Sequence, residues 1–250
     1  MSWQIQMVGT GSAFAKKYYN TSALILKDQV KVLIDCGYST PQGLHALGVT
    51  PDQLDGIVIS HIHADHVFGL EEIGFRLFYN YNKKRMKLFL TEPIARVLWE
   101  ETLQGSMYNS AENCVQLTDY FDVVILKEYE KTTLFPGIDI EMIPTLHVPS
   151  KNSYSLFINE QTFYSADLQF NRELILDEII GRRKCHTLLH DCQLSGPPII
   201  HASLQQLLTL PQDVQEKIWL MHYDDRMEQF IGQTGHMSFI LQQQIVTLPE

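Results

Sequence analysis

Ile57-Val58-Ile59-Ser60-His61-Ile62-His63-Ala64-Asp65-His66 couples an apolar, β-branched run to four side chains able to bind a metal, His61, His63, Asp65 and His66, within six positions. In α/β proteins binding residues gather at the carboxyl ends of strands, where the chain turns out of the sheet. A turn after Ser60 points His61 and His63 to one side and Asp65 and His66 to the other. Imidazole nitrogen and carboxylate oxygen are the donors that zinc and similar divalent ions take. A lone histidine at a strand end is ordinarily a hydrogen-bonded structural residue. Three histidines and an aspartate beside an apolar strand are costly to bury without a shared partner.

Short β-rich runs recur on both sides of this stretch, at Gln4 to Val8, Ala23 to Leu26, Val30 to Ile34, Gly56 to Ile59, Lys87 to Leu90, Val123 to Leu126, Ile138 to Ile143, Tyr154 to Ile158, Thr162 to Ser165, Thr187 to Leu189 and Lys217 to Met221. Helical patterns fall between them at Pro41 to Leu47, Val67 to Tyr79, Pro93 to Leu103, Arg172 to Ile180 and Ser203 to Leu208. Neighbouring strands with interspersed helices predict an α/β protein of two packed β-sheets flanked by helices. No linker, low-complexity tract or internal repeat divides the chain, so residues 1–250 read as one domain, and 45% hydrophobic content is ample for its core.

Met1 to Val8 alternate like a strand and carry no basic segment followed by an apolar one, so no secretory leader is expected. No apolar run approaches the roughly 20 residues of a membrane helix. A soluble, cytoplasmic protein without a membrane partner is the expectation. Cys36, Cys114, Cys185 and Cys192 include no C-x-x-C pair and read as free thiols. With 29 acidic against 19 basic residues the net charge is -10, which disfavours a long nucleic acid and favours a small ligand. The basic clusters Lys83, Lys84, Arg85, Lys87 and Arg182, Arg183, Lys184 read as solvated helix ends or turns.

The H-x-H-x-D-H pattern resembles the signature of the metallo-β-lactamase superfamily, which implies an αββα sandwich and two divalent ions, Zn2+ before Mn2+. By that resemblance His61, His63 and His147 belong to a first metal site, Asp65, His66 and His222 to a second, and Asp167 bridges them. Each of His147, Asp167 and His222 follows a strand-like run. Gly9-Thr10-Gly11-Ser12, Asn20-Thr21-Ser22 and Asp35-Cys36-Gly37 resemble the opening motifs of the tRNase Z branch. Glycines there would serve tight turns, and Asp35 would orient a ligand histidine. His190-Asp191-Cys192 and His201-Ala202-Ser203 fall in the order of that branch's H-E-A-T and H-S-T elements, with Asp191 and Ser203 in place of glutamate and threonine. The resemblance makes His201 and His190 candidate catalytic residues facing the scissile phosphate.

Only 19 residues separate His147 from Asp167, too few for the tRNA-gripping arm of that branch. The opening Gly9-Thr10-Gly11-Ser12-Ala13-Phe14-Ala15-Lys16-Lys17, His201-Ala202-Ser203-Leu204 and Trp219-Leu220-Met221-His222-Tyr223 resemble the anti-Pycsar phosphodiesterases, phage proteins and bacterial relatives that hydrolyse cyclic mononucleotides. That implies a small nucleotide substrate, a homodimer, and a host-cell cytoplasm if the chain is phage-encoded. Asp65 would aim the attacking water, and His201 or His190 would protonate the leaving oxygen. Phe75, Tyr108, Tyr154 and Tyr223 are aromatic candidates for stacking a base, each equally an ordinary core or rim residue. The alternatives are an RNA 3′-processing nuclease, a glyoxalase II-like thioesterase, and a nucleotide-binding protein without turnover, whose expected sign is a degraded ligand set.

Overall fold

The protein is described by a computed structural model covering residues 3–248; Met1 and Ser2 of the opening alternation, and the last two positions of the expected domain, lie outside it. One sheet holds β1 (Trp3–Gly9), β2 (Ser22–Lys27), β3 (Val30–Ile34), β4 (Gly56–Val58), β5 (Lys87–Thr91), β6 (Asp122–Leu126) and β14 (Ile245–Leu248), in the order β14-β1-β2-β3-β4-β5-β6. The other holds β7 (Thr132–Phe135), β8 (Ile138–Pro144), β9 (Tyr154–Ile158), β10 (Thr162–Tyr164), β11 (Thr187–Asp191), β12 (Ile218–Met221) and β13 (Ser238–Phe239), in the order β13-β12-β11-β10-β9-β8-β7. Each sheet is antiparallel on one side and parallel on the other, the parallel parts being β3 to β6 and β10 to β13.

Strand alternation divides the apolar residues between two layers. Tyr154, Leu156 and Ile158 of β9 share one buried cluster with residues of both faces of the first sheet, Ile5, Ile25 and Val32 on one and Leu24 and Leu33 on the other. Phe157 faces the other way, with Phe163, Leu188 and Leu220, and packs under Ile175, Ile179, Leu204 and Leu207. Those four lie on a π-helical segment, Leu174–Arg182, and a short helix, Leu204–Leu207. The first sheet is covered on its outer side by the helix Gly69–Asn80, whose buried Leu70, Ile73, Gly74, Leu77 and Phe78 repeat at helical spacing. Truncating Leu77 to alanine would cost about 2–5 kcal/mol.

Most departures from the sequence reading concern short or edge elements. β7, β13 and β14 were not expected; they are outer or terminal strands whose regularity comes from pairing rather than pattern. The helix expected from Val67 is preceded by a separate turn, Ala64–Val67, which carries Asp65 and His66. The segment Pro93 to Leu103 is a helix, Glu92–Val97, continued by a π-helical stretch, Leu98–Leu103. Arg183 is not a solvated turn residue: it donates to both carboxylate oxygens of Glu141 at 2.5 and 2.8 Å, pairs with Glu178, and lies 4.0 Å over the Phe157 ring. No helix among the described residues is long and apolar enough to cross a membrane.

Cys36, Cys114, Cys185 and Cys192 are all buried free thiols. Burial pushes the Cys36 and Cys192 thiols far above the ordinary range and Cys185 up to about 11, while only the thiolate reacts. Native protein is therefore expected to leave 5,5′-dithiobis(2-nitrobenzoic acid) essentially unreduced, with the four thiols titrating only after unfolding in guanidinium. A rapidly reacting thiol in the native state would contradict this packing.

Candidate metal centre

The parallel halves of the two sheets deliver the functional side chains. Asp35 follows β3, His61 follows β4, Asp167 follows β10, Asp191 ends β11 and His222 follows β12, while His147 comes from the loop after the antiparallel β8. All seven residues expected to bind metal come together. His61, His63, His147 and Asp167 form one group and Asp65, His66, Asp167 and His222 a second, with the candidate donor atoms of each group within 4.8 Å of one another. Asp167 belongs to both. Its Oδ2 lies 3.7 Å from His61 Nε2 and 3.5 Å from His147 Nε2, whereas its Oδ1 lies 3.3 Å from His66 Nε2. In the first group His63 Nδ1 is 3.1 Å from His61 Nε2 and 3.3 Å from His147 Nε2.

These spacings fit ions. Donors about 2.1 Å from a tetrahedral zinc stand roughly 3.4 Å from each other. The outer hydrogen bonds fix which ring nitrogen keeps its proton. His147 Nδ1 lies 2.7 Å from the Ile200 carbonyl oxygen, which only accepts, so Nε2 presents its lone pair. His66 Nδ1 lies 2.8 Å from Asp35 Oδ2. Ser60 donates its backbone N–H to Asp35 Oδ1 and its hydroxyl to Oδ2, and the same hydroxyl oxygen is 3.0 Å from His61 Nδ1. His222 Nδ1 is 3.2 Å from Thr21 Oγ1, whose hydroxyl donates to the Gly11 carbonyl oxygen. Asp35 thus takes the orienting role expected of it, and Thr21 has a comparable one.

Inside this ring of support, Asp65 Oδ2, His66 Nε2, Asp167 Oδ1 and His222 Nε2 are buried with no hydrogen-bond partner. Unpaired buried polar atoms cost about 1–3 kcal/mol each, so these four amount to something on the order of a domain's whole stability of about 5–15 kcal/mol. Divalent cations would satisfy them together. The protonation states agree in part: burial holds His61 and His222 below the usual imidazole value and takes His63 to about 4, leaving them neutral. Burial works against ionised Asp65 and Asp167, but the neighbouring imidazoles hold both carboxyls below their ordinary value. His66 runs the other way, raised despite burial by Asp167, Asp65 and Asp35, so an ion there would displace a proton.

The glycines serve close approach rather than tight turns. A Cβ on Gly37 would overlap the Asp65 carbonyl oxygen, and one on Gly9 would overlap that of Asn20. Left-handed positions at the centre are instead Asp35 at φ 58°, Ala166 at φ 49° and His222 at φ 58°.

A cavity of about 800 Å³ opens over the centre, lined by Asp65, Asp167, His222, His63, His147 and His201 and walled by Phe14, Tyr38, Leu194, Pro197 and Ile199. His201 Nδ1 is 2.9 Å from Asp191 Oδ2, leaving Nε2 as its free ring nitrogen. Burial lowers the His201 pKa, but the Asp191 hydrogen bond and the charges of Asp167 and Asp191 raise it above the ordinary value overall. His201 does not cap the following helix; Ser203 does, accepting from Gln206 N–H while the Gln206 carboxamide oxygen accepts from Ser203 N–H. His190 is fully buried, shares the Leu188 face of β11, lies 2.9 Å through Nδ1 from the Asp191 carbonyl oxygen, and is not among the residues lining the cavity. None of Phe75, Tyr108, Tyr154 and Tyr223 lines it either: Tyr154 and Tyr223 are core residues. The aromatic side chains there are Phe14, 87% exposed, and Tyr38, whose hydroxyl donates to the Ala13 carbonyl oxygen.

Elemental analysis of protein prepared without chelator is expected to find close to two divalent ions per chain. Asp167→Ala should lose at least one of them, and chelation should lower the melting temperature of the parent. A content near one for both proteins would refute the shared-carboxylate arrangement.

Comparison with known proteins agrees with this fold. The family model described as Anti-Pycsar protein Apyc1 matches residues 3–246. A protein of that name from Paenibacillus xerothermodurans is 50% identical over 250 residues, covering 100% of this chain and 99% of the relative. Another, from Bacillus phage vB_BveM-Goe7, is 41% identical over 249 residues, covering 94% of this chain and 95% of the relative. Among solved structures, the metallo-beta-lactamase fold protein YhfI from Bacillus subtilis superposes with a TM-score of 0.73 at 15% identity, covering 99% of this chain and 100% of its own, which establishes the fold. Fold and His/Asp clusters together support a metal-dependent hydrolase. From residue 3 to residue 246, the chain belongs to the Anti-Pycsar protein Apyc1 family.

Proposed function

We propose that this protein is a two-metal phosphodiesterase that opens 3′,5′-cyclic mononucleotides to 5′ monophosphates, acting in the cytoplasm on the signal of an anti-phage defence. The observation that carries this reading is the paired donor groups sharing Asp167 at the floor of a cavity of about 800 Å³, within the size range of small-ligand sites. The relatives' name, Anti-Pycsar protein, supports the same class of substrate.

His61, His63, His147 and Asp167 would hold one ion and Asp65, His66, Asp167 and His222 the other, Zn2+ being the ion that this donor set suits best. Bound there, two ions would neutralise phosphoryl charge and supply a nucleophile at neutral pH by lowering the pKa of water to about 7. The chain's own residues do the rest. Asp65 is ionised, and with Oδ2 facing the ion its carboxylate would also accept a hydrogen bond from the attacking water and aim it. Asp191 holds His201 by Nδ1, so that Nε2 is the proton donor to the leaving ribose oxygen. No lysine or arginine lines the cavity, so a base would be held by apolar contact with Phe14, Tyr38 and Ile199 rather than by charge.

A panel of 3′,5′-cyclic nucleotides, linear dinucleotides, a pre-tRNA and S-acyl glutathione, run on one metal-loaded preparation, tests the substrate class. Cyclic mononucleotides should be turned over in preference to the others; preference for structured RNA would replace this reading with the nuclease. His201→Ala should lower kcat on a cyclic nucleotide by about 10² to 10⁴. Bis(p-nitrophenyl) phosphate, whose leaving group needs little protonation, should lose far less, with ion content unchanged. Equal losses on both substrates would remove His201 from the acid role. Asp65→Asn and His66→Ala should abolish turnover while leaving most of the fold intact.

A further inference from the structure

Phe14 and Ile199, apolar walls of the large cavity over the donor groups, are 87% and 70% exposed, so little packing fixes where their side chains stand. They belong to two loops, one between β1 and β2 and the other after β11. Both loops are tied to one segment, Asp224-Asp225-Arg226, which follows the donor His222. That segment is anchored by Tyr223, which is wholly buried, donates its hydroxyl to the Ile240 carbonyl oxygen at 2.8 Å and donates its N–H to that of Thr10 at 3.2 Å. The Phe14 loop is held before and after the ring. Ser12 N–H donates to the Tyr223 carbonyl oxygen at 3.0 Å, and the Tyr38 hydroxyl donates to that of Ala13 at 2.7 Å. Beyond the ring, Lys16 N–H donates to both carboxylate oxygens of Asp225 at 2.9 and 3.0 Å, and Lys17 N–H to Oδ1 at 2.8 Å. In the Ile199 loop the Gln193 carboxamide donates to the carbonyl oxygens of Ser195 and Pro197 at 2.9 and 3.0 Å. Arg226 donates to the Ser195 hydroxyl oxygen, its guanidinium being held by the two Asp224 oxygens at 3.2 and 2.5 Å. Neither Asp225 nor Arg226 lines the cavity.

We propose that Asp225 and Arg226 are positioning residues that hold Phe14 and Ile199 in place for a nucleobase, and so set affinity for the base without touching it. The proposal rests on the cyclic-nucleotide reading above. An apolar wall contributes fully to binding only when it is in place beforehand, since a loop ordered at the moment of binding costs part of the free energy gained. A carboxylate accepting two successive backbone N–H groups is a stronger restraint than a neutral acceptor, and it acts on the backbone next to Phe14 rather than on the ring. The reacting phosphodiester is the business of the donor groups and His201. Base contacts persist from the bound substrate to the transition state, so loosening the two loops should raise KM and leave kcat alone.

The test compares steady-state turnover of a 3′,5′-cyclic nucleotide with that of methyl riboside 3′,5′-cyclic phosphate, which has the same scissile bond and no base, on metal-loaded full-length protein. Asp225→Ala is expected to raise KM for the nucleotide about tenfold, the scale of one charge-assisted hydrogen bond. Its kcat, its ion content and its turnover of the base-free phosphate should match the parent. Asp225→Asn, whose carboxamide oxygen still accepts backbone N–H groups, should recover most of the parent KM. Arg226→Ala, at an exposed position, loosens the other wall and should raise KM about threefold. In a Phe14→Ala background, Asp225→Ala should add little to the loss already present, because its effect runs through Phe14. Parent-like KM for the nucleotide in the variants that keep the parent's melting temperature, equal losses on both substrates, or full additivity with Phe14→Ala overturns the proposal while the substrate reading stands. Failure of the parent protein to turn over any 3′,5′-cyclic nucleotide refutes the substrate reading and the proposal with it.

Discussion

The carboxylate of Asp167 faces two sets of imidazole lone pairs at once, and the rest of the centre is arranged around that requirement. Each oxygen meets nitrogens at 3.3 to 3.7 Å, beyond a good hydrogen bond and at the edge length of a metal polyhedron. His61 Nε2 and His147 Nε2, each left a lone pair by its outer partner, both point at His63 Nδ1, which has one proton at most and can satisfy only one of them at a time. A hydrophobic replacement would remove the conflict more cheaply than any rearrangement of the same side chains, since uncompensated buried polar atoms are among the most costly features of a folded chain. The persistence of the conflict in a chain with an otherwise ordinary core makes it a feature of function rather than of folding.

Support for Asp167 comes from strand ends that bend back on themselves. Left-handed backbone costs an L-residue about 1–2 kcal/mol, and Asp35, Ala166 and His222 all adopt it. Aspartate and histidine tolerate the region better than most residues, but Ala166 has no side chain with which to offset the cost. Its neighbour supplies the reason: the strand alternation of β10 is broken at Ala166, immediately before the Asp167 carboxylate turns toward both histidine groups. Strain at the carboxyl ends of β3, β10 and β12 therefore lies where side-chain direction matters most.

The donor groups were legible in the sequence because metal chemistry confines residue type and spacing, and the strand that feeds His61 announces itself by its β-branched run. The sandwich was legible from alternation. What escaped was set by direction rather than composition. His190 and Asp191 adjoin at the end of one strand, and their side chains touch there, His190 Nδ1 lying 3.1 Å from Asp191 Oδ1; Asp191 reaches His201 through Oδ2, while His190 is buried outside the cavity lining. Phe14 and Tyr38 escaped because they stand in irregular segments, where no periodicity signals which residues border a cavity, whereas Tyr154 and Tyr223 looked equally plausible and are core residues. Asp65 and His66 lie in a helical turn too short to produce a periodic signal.

Charge closes the account of the site. The chain carries a net charge of -10, the large cavity is lined by no lysine or arginine, and its floor holds the carboxylates of Asp65 and Asp167. An anionic phosphodiester approaching that surface meets repulsion that falls off over about 8–10 Å in physiological salt. His201, its affinity for a proton raised by Asp191 and Asp167, offers one positive charge when protonated, itself bound to Asp191. On the two-ion reading the divalent ions reverse the sign of the local field, so the cations that satisfy the buried donors are also what makes the cavity attractive to its substrate. Loss of one ion would then weaken substrate attraction and the packing of the centre together. A lysine placed in the cavity wall could restore only the first, since a flexible ammonium attracts phosphate without filling the geometry that His61, His63, His66, His147 and His222 present to Asp167.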